Sequence, residues 1–287
     1  MPGALRLRQT RKSQPSAVPN PKLTLAKMRP GELGSFQGGL ETLPTAIATR
    51  LGDHIHLGAQ ATSITPLGDG GFHITVERAE GHQDIHAHQL VLAIPAYVAA
   101  TLLRPHATLA SDALETIPYP GVACVVLAYP DGAVPPQRPG FGHLIPRNQG
   151  IRTLGTIWSS CLFSGRTPPG WQMFTSFIGG ATDPQLTTLS SEAIAAIVKQ
   201  DLHRVLGLSP NQGRLLSVKR WQRAIPQYTL GYGQQLESIQ THLKQLPGLF
   251  LCSNYIGGVA LGDRVQQGNE IAANINQTWN SLPPENV

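Results

Sequence analysis

Residues 249–262 read Leu-Phe-Leu-Cys-Ser-Asn-Tyr-Ile-Gly-Gly-Val-Ala-Leu-Gly, and this stretch carries the strongest fold signal in the chain. A short apolar strand at 249–252 runs into a polar, glycine-rich turn, and a helix is predicted from about Val259. Such a strand–turn–helix unit is typical of α/β folds. The amide groups and dipole at the start of the helix favour an anion or an electron-rich ring edge. Taken alone, however, this pattern favours a plain turn whose glycines serve only to reverse the chain.

Upstream of this unit, the apolar pattern predicts further strands. Residues 90–94 are apolar on both faces, as in a buried, parallel strand. Residues 72–78 alternate apolar and polar side chains and form a hairpin with 84–88. Short extended segments are expected at 55–57 and 61–66, after a helix that presents Leu40, Leu43, Ile47 and Leu51 on one face.

The middle of the chain predicts strands at 122–129, 153–158 and 171–178. Residues 192–206 form an amphipathic helix that Ser190 or Ser191 can cap. Another helix runs through Leu236 and ends at Pro247-Gly248. The predicted fold class is α/β and α+β.

Composition and charge narrow the function classes. The chain has 287 residues, 41% of them hydrophobic, and a formal charge of +5. Seven basic residues precede the first acid, Glu32, so the remainder is close to neutral. The basic stretch lacks aromatic residues, which argues against nucleic-acid binding. Residues 1–33 are predicted to be a basic, disordered linker, with a transit peptide as the less favoured interpretation.

No metal site or covalent catalytic motif is evident. His82, His86 and His88 lie close together in the sequence at the predicted hairpin. A solvated polar face is favoured there over a zinc site. Cys124, Cys161 and Cys252 are scattered and predict buried, reduced thiols. Neither a G-x-S-x-G motif nor a complete dinucleotide fingerprint occurs. Without a membrane-spanning stretch, a cytoplasmic or peripheral membrane location is expected.

Several stretches together resemble the protoporphyrinogen oxidase family of FAD-dependent, amine-oxidase-like flavoproteins. The resemblance covers about residues 34–280, and the stretches occur in the same order as in the family. They are residues 34–44, 90–97, 140–146, 153–160, 177–180, 224–228 and 257–262. The resemblance implies an FAD-binding domain interrupted by a mixed-sheet substrate domain. By this resemblance, residues 34–95 and 215–287 would form the FAD-binding domain, and residues 96–214 would form the substrate domain.

The resemblance further implies oxidation of protoporphyrinogen IX to protoporphyrin IX, with FAD as cofactor and oxygen as electron acceptor. The substrate pocket would be lined by Leu144, Ile157 and Phe177, whose apolar side chains suit a flat macrocycle. No residue is assigned a catalytic or metal-binding role. The cofactor contacts implied by the motifs are Ala61, Trp221, Ala224, Val259, Ala260 and Leu261.

The family's glycine-rich FAD fingerprint and a basic residue facing a substrate propionate lie in an N-terminal portion that finds no match here. We therefore expect a C-terminal portion of the enzyme, as a fragment, a truncated product or half of a split enzyme. Alone, it would bind FAD poorly and be inactive, and an N-terminal polypeptide would complete it. The alternatives are another flavin amine oxidase or carotenoid desaturase, or a non-catalytic porphyrin-binding protein.

Overall fold

The computed structural model describes residues 34–68, 70–134 and 140–280, so the predicted linker at 1–33 lies outside them. The chain divides into two units, of which the first ends at His56 and the second begins at Leu57. In the first unit, helix α1 (Thr42–Leu51) confirms the predicted helix with Leu43, Ile47 and Leu51, and it buries none of its residues. Leu40, which was predicted to share this face, lies in the turn before the helix. A 3-10 turn at Gly52–His54 follows.

The segment at 55–57, which was predicted to be extended, forms no strand, although Ile55 itself has an extended backbone with φ −108° and ψ 123°. Gly52 adopts a positive φ of 52°, and the amide of Ile55 donates to the carbonyl of Gly52. The chain then turns again at Leu57-Gly58, where Gly58 has φ 66°. Only Ile55 and His56 lie between the two turns, too few residues to form a strand.

The second unit begins with an antiparallel sheet of three strands, β1 (Gln60–Pro66), β2 (Phe72–Arg78) and β3 (Gly81–Ala87). The predicted hairpin is confirmed by the pairing of β2 with β3. The alternate residues Phe72, Ile74 and Val76 are buried, whereas β3 is almost wholly exposed. The histidines of β3 therefore lie on a solvated surface, where His73 of β2 contacts Asp84.

Strand β4 (Leu90–Leu92) pairs in parallel with β10 (Leu249–Leu251), which confirms the predicted parallel strand. Helices α2 (Ala96–Leu103), α3 (Thr108–Glu115) and α6 (Tyr232–Leu243) share one hydrophobic core with this pair and with the first sheet. Val91 is nevertheless 38% exposed, although burial on both faces was expected. Within the described residues this sheet has only two strands, so neither strand has a neighbour on its outer edge.

The third sheet has five strands in the order β6-β7-β8-β5-β9. Their bounds are β5 (Val122–Pro130), β6 (Gly142–Leu144), β7 (Thr153–Trp158), β8 (Trp171–Gly179) and β9 (Arg214–Trp221). The strands predicted at 122–129, 153–158 and 171–178 are confirmed. Each of the four strand pairs is antiparallel, where a mixed sheet was expected. The connections from β6 to β7 and from β7 to β8 are short, which favours antiparallel pairing, whereas β5 pairs with β8 and β9 across much longer stretches of the chain.

Helix α5 (Ser191–Leu206) covers one face of this sheet through a second hydrophobic core, which includes Ile194, Val198 and Leu202. Ser190 caps it by accepting a hydrogen bond from the amide of Ala193 at 3.2 Å, as predicted. A single-turn helix, α4 (Ser159–Leu162), follows β7.

Helix α6 ends earlier than predicted, at Leu243 rather than at Pro247. The amide of Lys244 bonds back to Thr241, and that of Leu246 to Leu243, so the chain tightens into i→i+3 turns ahead of the proline. Helix α7 (Leu261–Asn280) completes the strand–turn–helix unit. No helix in the described ranges is both long enough and apolar enough to cross a membrane.

Candidate substrate and cofactor sites

A cavity of about 370 Å³ lies on the five-stranded sheet, at β6, β7 and β8. Leu144, Ile157 and Phe177, the three residues predicted to line a substrate pocket, all line it. Ile157 and Phe177 are half-buried, whereas Leu144 is 86% exposed. The structure therefore brings the three predicted residues together around one apolar depression.

The cavity exists because a glycine occupies the middle of a cross-strand row. Gly155 pairs with Leu144 on one side and with Phe177 on the other. A Cβ on Gly155 would lie 2.7 Å from the carbonyl oxygen of His143 and 2.8 Å from Cδ2 of Leu144. Any larger residue would fill the depression or push β6 away.

We call the sheet surface that carries this row the open face. The opposite face is covered by α5 and buries Ala123, Val125, Phe174 and Ile178. Because side chains alternate along a strand, the register places another set on the open face. Besides the cavity residues, that set includes Cys124, Val126, Thr175, Ser217, Lys219 and Trp221. Burial raises the pKa of the Cys124 thiol, so Cys124 is a neutral neighbour of Phe177.

His143 and Trp158 support the cavity from the covered face. The indole Nε1 of Trp158 donates to Nδ1 of His143 at 3.2 Å. Burial lowers the pKa of His143, which keeps the imidazole neutral and able to accept. This bond ties β6 to β7 beside the cavity.

Asp201 of α5 anchors the start of β7. Its Oδ2 accepts hydrogen bonds from the amides of Arg152 and Thr153, at 3.1 and 2.8 Å, and from the Thr153 hydroxyl at 2.7 Å. Asp201 and Thr153 are both buried. The carboxylate therefore fixes the first residue of the strand that carries Gly155 and Ile157.

A second, more polar cavity of about 450 Å³ adjoins β1 and α2. Ala61, predicted as a cofactor contact, lines it together with Tyr97, Glu115 and Arg223. The guanidinium carbon of Arg223 lies 4.4 Å from the centre of the Tyr97 ring. Ala224 follows Arg223, and its amide donates to the carbonyl of Pro120. Trp221, at the end of β9, is exposed on the open face.

The third predicted cofactor region is the turn before α7. Val259, Ala260 and Leu261 are exposed there, and Gly257 and Gly258 have φ of 71° and 117°. The amide of Ala260 donates to Oδ2 of Asp263 at 3.2 Å. The guanidinium of Arg264 bonds to the carbonyls of Ser253 and Ile256. Asp263 and Arg264 thus fix the turn against the helix.

The predicted cofactor residues therefore occupy separate places: Ala61 in the polar cavity, Trp221 on the open face, and 259–261 at the α7 turn. Sequence reasoning missed Gly155, Asp201, Arg223 and Asp263. A glycine inside the alternating strand 153–158 was the available signal for a close approach. No comparable local signal marks Asp201, because its partners lie 48 and 49 positions away.

The remaining sequence-based expectations concern thiols and histidines. The three cysteines form no disulfide among the described residues, and Cys124 and Cys252 are half-buried. Cys161 is exposed, which contradicts the expectation of buried thiols, because α4 is a single turn at the surface. Among the described residues, no group of three or more histidines, cysteines or carboxylates is arranged to hold a metal ion.

The family model of flavin containing amine oxidoreductases matches residues 7–276. The chain is 37% identical over 282 residues to chloroplastic protoporphyrinogen oxidase of Nicotiana tabacum, covering 95% of this chain and 51% of the relative. It is 32% identical over 252 residues to protoporphyrinogen oxidase of Bos taurus, covering 84% and 51%. The chain therefore spans about half the length of these curated relatives.

Solved structures share the fold. A crystal structure from Exiguobacterium sp. 255-15, provisionally assigned as a protoporphyrinogen oxidase, superposes with a TM-score of 0.73 at 22% identity, covering 88% of this chain and 54% of that one. Reduced UDP-galactopyranose mutase gives 0.65 at 15% identity, covering 84% and 51%. At these identities the likeness concerns the fold alone, and it confirms the predicted fold class.

Proposed function

The chain belongs to the family of flavin containing amine oxidoreductases, and we propose that it forms the substrate-binding part of an FAD-dependent protoporphyrinogen oxidase. The proposed reaction is the oxidation of protoporphyrinogen IX to protoporphyrin IX, the activity named for the relatives in Nicotiana tabacum and Bos taurus.

The apolar cavity on the open face is the observation that carries this proposal. Leu144, Ile157 and Phe177 form its apolar lining, and Gly155 keeps its floor low. No strand of this sheet contains an acidic residue. A flat, apolar ring system binds to such a surface by packing, while charged groups at its rim remain in water.

For FAD, the described residues provide an incomplete fit. The polar cavity at Ala61 contains Arg223, a cation suited to a phosphate group. At the α7 turn, exposed Val259 and Leu261 offer apolar contacts, but the Asp263 carboxylate already accepts from the amide of Ala260. We propose that Ala61, Trp221, Ala224 and residues 259–261 contact FAD. When bound, FAD would accept the electrons removed from the substrate and pass them to oxygen.

We further propose the division into FAD-binding segments 34–95 and 215–287 and a substrate segment 96–214. The pairing of β4 with β10 and their common core with α6 support the joining of the first and last segments. Parallel sheets are normally larger and covered on both faces. The exposure of Val91 on this two-stranded sheet therefore supports a role for an N-terminal polypeptide of the same family in completing the sheet. We also propose that the protein is located in the cytoplasm or peripherally on a membrane.

Titration of the full chain with protoporphyrin IX, followed by fluorescence, tests the pocket. Phe177→Ala should weaken binding by about tenfold or more, because it removes the packing of a large aromatic side chain. Phe163→Ala is the matched control, since Phe163 is half-buried outside the cavity and contacts Arg166. Equal affinities of the Phe177 variant and the wild type would refute the pocket assignment.

A visible spectrum of the purified chain tests the cofactor proposal separately. We expect weak FAD binding by the chain alone and stronger binding after addition of a polypeptide that carries the family's N-terminal half. If that addition leaves the flavin affinity unchanged, the proposed completion of the sheet is wrong. Porphyrin binding without any flavin binding, in either condition, would favour a non-catalytic porphyrin-binding protein.

A further inference from the structure

Lys219 shares the cross-strand row that forms the apolar cavity. Across the open face this row runs Leu144, Gly155, Phe177, Cys124 and Lys219. Neighbouring strands lie about 4.8 Å apart, so the backbone of Lys219 is about 10 Å from that of Phe177. The four-carbon side chain of lysine extends the reach of its ammonium group further.

The charge of Lys219 has no protein counterpart in the described ranges. Lys219 is exposed and takes part in none of the ion pairs found there. The five strands of the sheet contain no Asp or Glu that would neutralise it. By contrast, the next residue, Arg220, lies on the opposite face and donates to the carbonyl of Leu189 at 2.7 Å.

We propose that Lys219 binds a carboxylate at the rim of the tetrapyrrole that packs on Leu144, Ile157 and Phe177. This inference rests on the proposed function and adds a residue that determines substrate specificity. The apolar part of the row holds the ring system, and the ammonium group at the edge strand holds an acidic side arm. Lys219 would thereby select tetrapyrroles that carry carboxylates and set the direction in which the ring lies on the sheet.

The intermediate position in the row supports this arrangement. Cys124 lies between Phe177 and Lys219, and its thiol is small and kept neutral by burial. It leaves a path across which a propionate arm can extend from the apolar cavity towards the ammonium group. Being at the edge of the sheet, Lys219 remains in contact with water, so the ion pair is screened by salt.

The test compares two ligands that share one macrocycle, protoporphyrin IX and its dimethyl ester, in which methylation removes both carboxylate charges. Both are titrated into the full chain as wild type, Lys219→Met, Lys219→Arg and Arg220→Met, with fluorescence as the readout. For Lys219→Met we expect roughly fivefold weaker binding of the diacid, the effect of one partly exposed ion pair, and unchanged binding of the ester. Lys219→Arg should restore the diacid affinity, and Arg220→Met should leave it unchanged.

Two outcomes would overturn the inference while leaving the proposed function intact. In the first, Lys219→Met binds the diacid as tightly as the wild type does. In the second, the substitution weakens the diacid and the ester equally, which indicates altered packing rather than a lost ion pair. If wild-type protein binds neither ligand, or if Phe177→Ala binds both normally, the proposed function fails and the inference fails with it.

Discussion

Replacement of Asp201 by alanine should destabilise the protein more than any loss of a surface ion pair. Three hydrogen bonds converge on Oδ2 of this buried carboxylate, at 2.7, 2.8 and 3.1 Å. Each bond to a charged group contributes about 1.5–3 kcal/mol, but bonds that share one acceptor are not additive. Alanine would leave the buried amide and hydroxyl of Thr153 without a partner, so we expect a loss of about 3–5 kcal/mol.

Asp201→Asn isolates the contribution of charge. The amide oxygen of asparagine can occupy the place of Oδ2 and accept the same three bonds, so we expect a smaller loss, of about 1–2 kcal/mol. Asp112→Ala serves as the control for an exposed carboxylate, because Asp112 pairs with Arg104 at the surface. Asp112→Ala should lower the free energy of unfolding by less than about 1 kcal/mol.

Urea unfolding at pH 7, followed by circular dichroism, gives the three free energies of unfolding. The order of loss should be Asp201→Ala, then Asp201→Asn, then Asp112→Ala. Protoporphyrin affinity measured well below the unfolding midpoint should also fall for Asp201→Ala, because Thr153 begins the strand that carries Gly155 and Ile157. The reasoning is refuted if the free energy of unfolding of Asp201→Ala lies within about 1 kcal/mol of the wild-type value.

Two further predictions concern the cavity floor and a buried tyrosine. Gly155→Ala should lower the free energy of unfolding by about 1–3 kcal/mol and weaken protoporphyrin binding, because the added methyl group would crowd the His143 carbonyl. Gly233→Ala is the control, since an added methyl group there meets open space on α6. Unchanged protoporphyrin binding by Gly155→Ala would contradict the cavity geometry. Burial raises the pKa of Tyr129 from 10.0 to about 12, so the folded state holds this proton more tightly than the unfolded state and stability should fall as the pH rises from 10 to 12. Tyr129→Phe should reduce that fall in urea unfolding, and should change stability at pH 7 by less than about 1 kcal/mol, because the hydroxyl has no hydrogen-bond partner in the described ranges. An identical pH dependence in the variant would exclude Tyr129 as a contributor.

Local patterns in the sequence predicted most of the secondary structure. Strand β7 has the bounds predicted for it, Thr153–Trp158, and Ser190 caps α5 as its position indicated. Both signals lie within a few residues of the feature they specify. The parallel pairing of β4 was also predicted, because a strand that is apolar on both faces is typical of such a sheet.

Features that depend on distant residues were not predictable in the same way. The antiparallel order of the five-stranded sheet follows from how its strands pair, which the pattern of a single strand does not specify. The exposure of Val91 depends on how many neighbours β4 has. The cavity residues Leu144, Ile157 and Phe177 came from the family resemblance, whereas the glycine that makes room for a ligand became apparent only from the strand register.

The two-stranded parallel sheet also has a practical consequence for handling the protein. Among the residues that the structure describes, no further strand pairs with the outer edges of β4 and β10. Their backbone amides and carbonyls, beside the apolar side chain of Val91, can therefore pair with the same strands of another copy. Purified at high concentration, the chain should therefore scatter light increasingly with time. A charged residue in place of Val91 would act as a gatekeeper against such aggregation and improve the yield of soluble material.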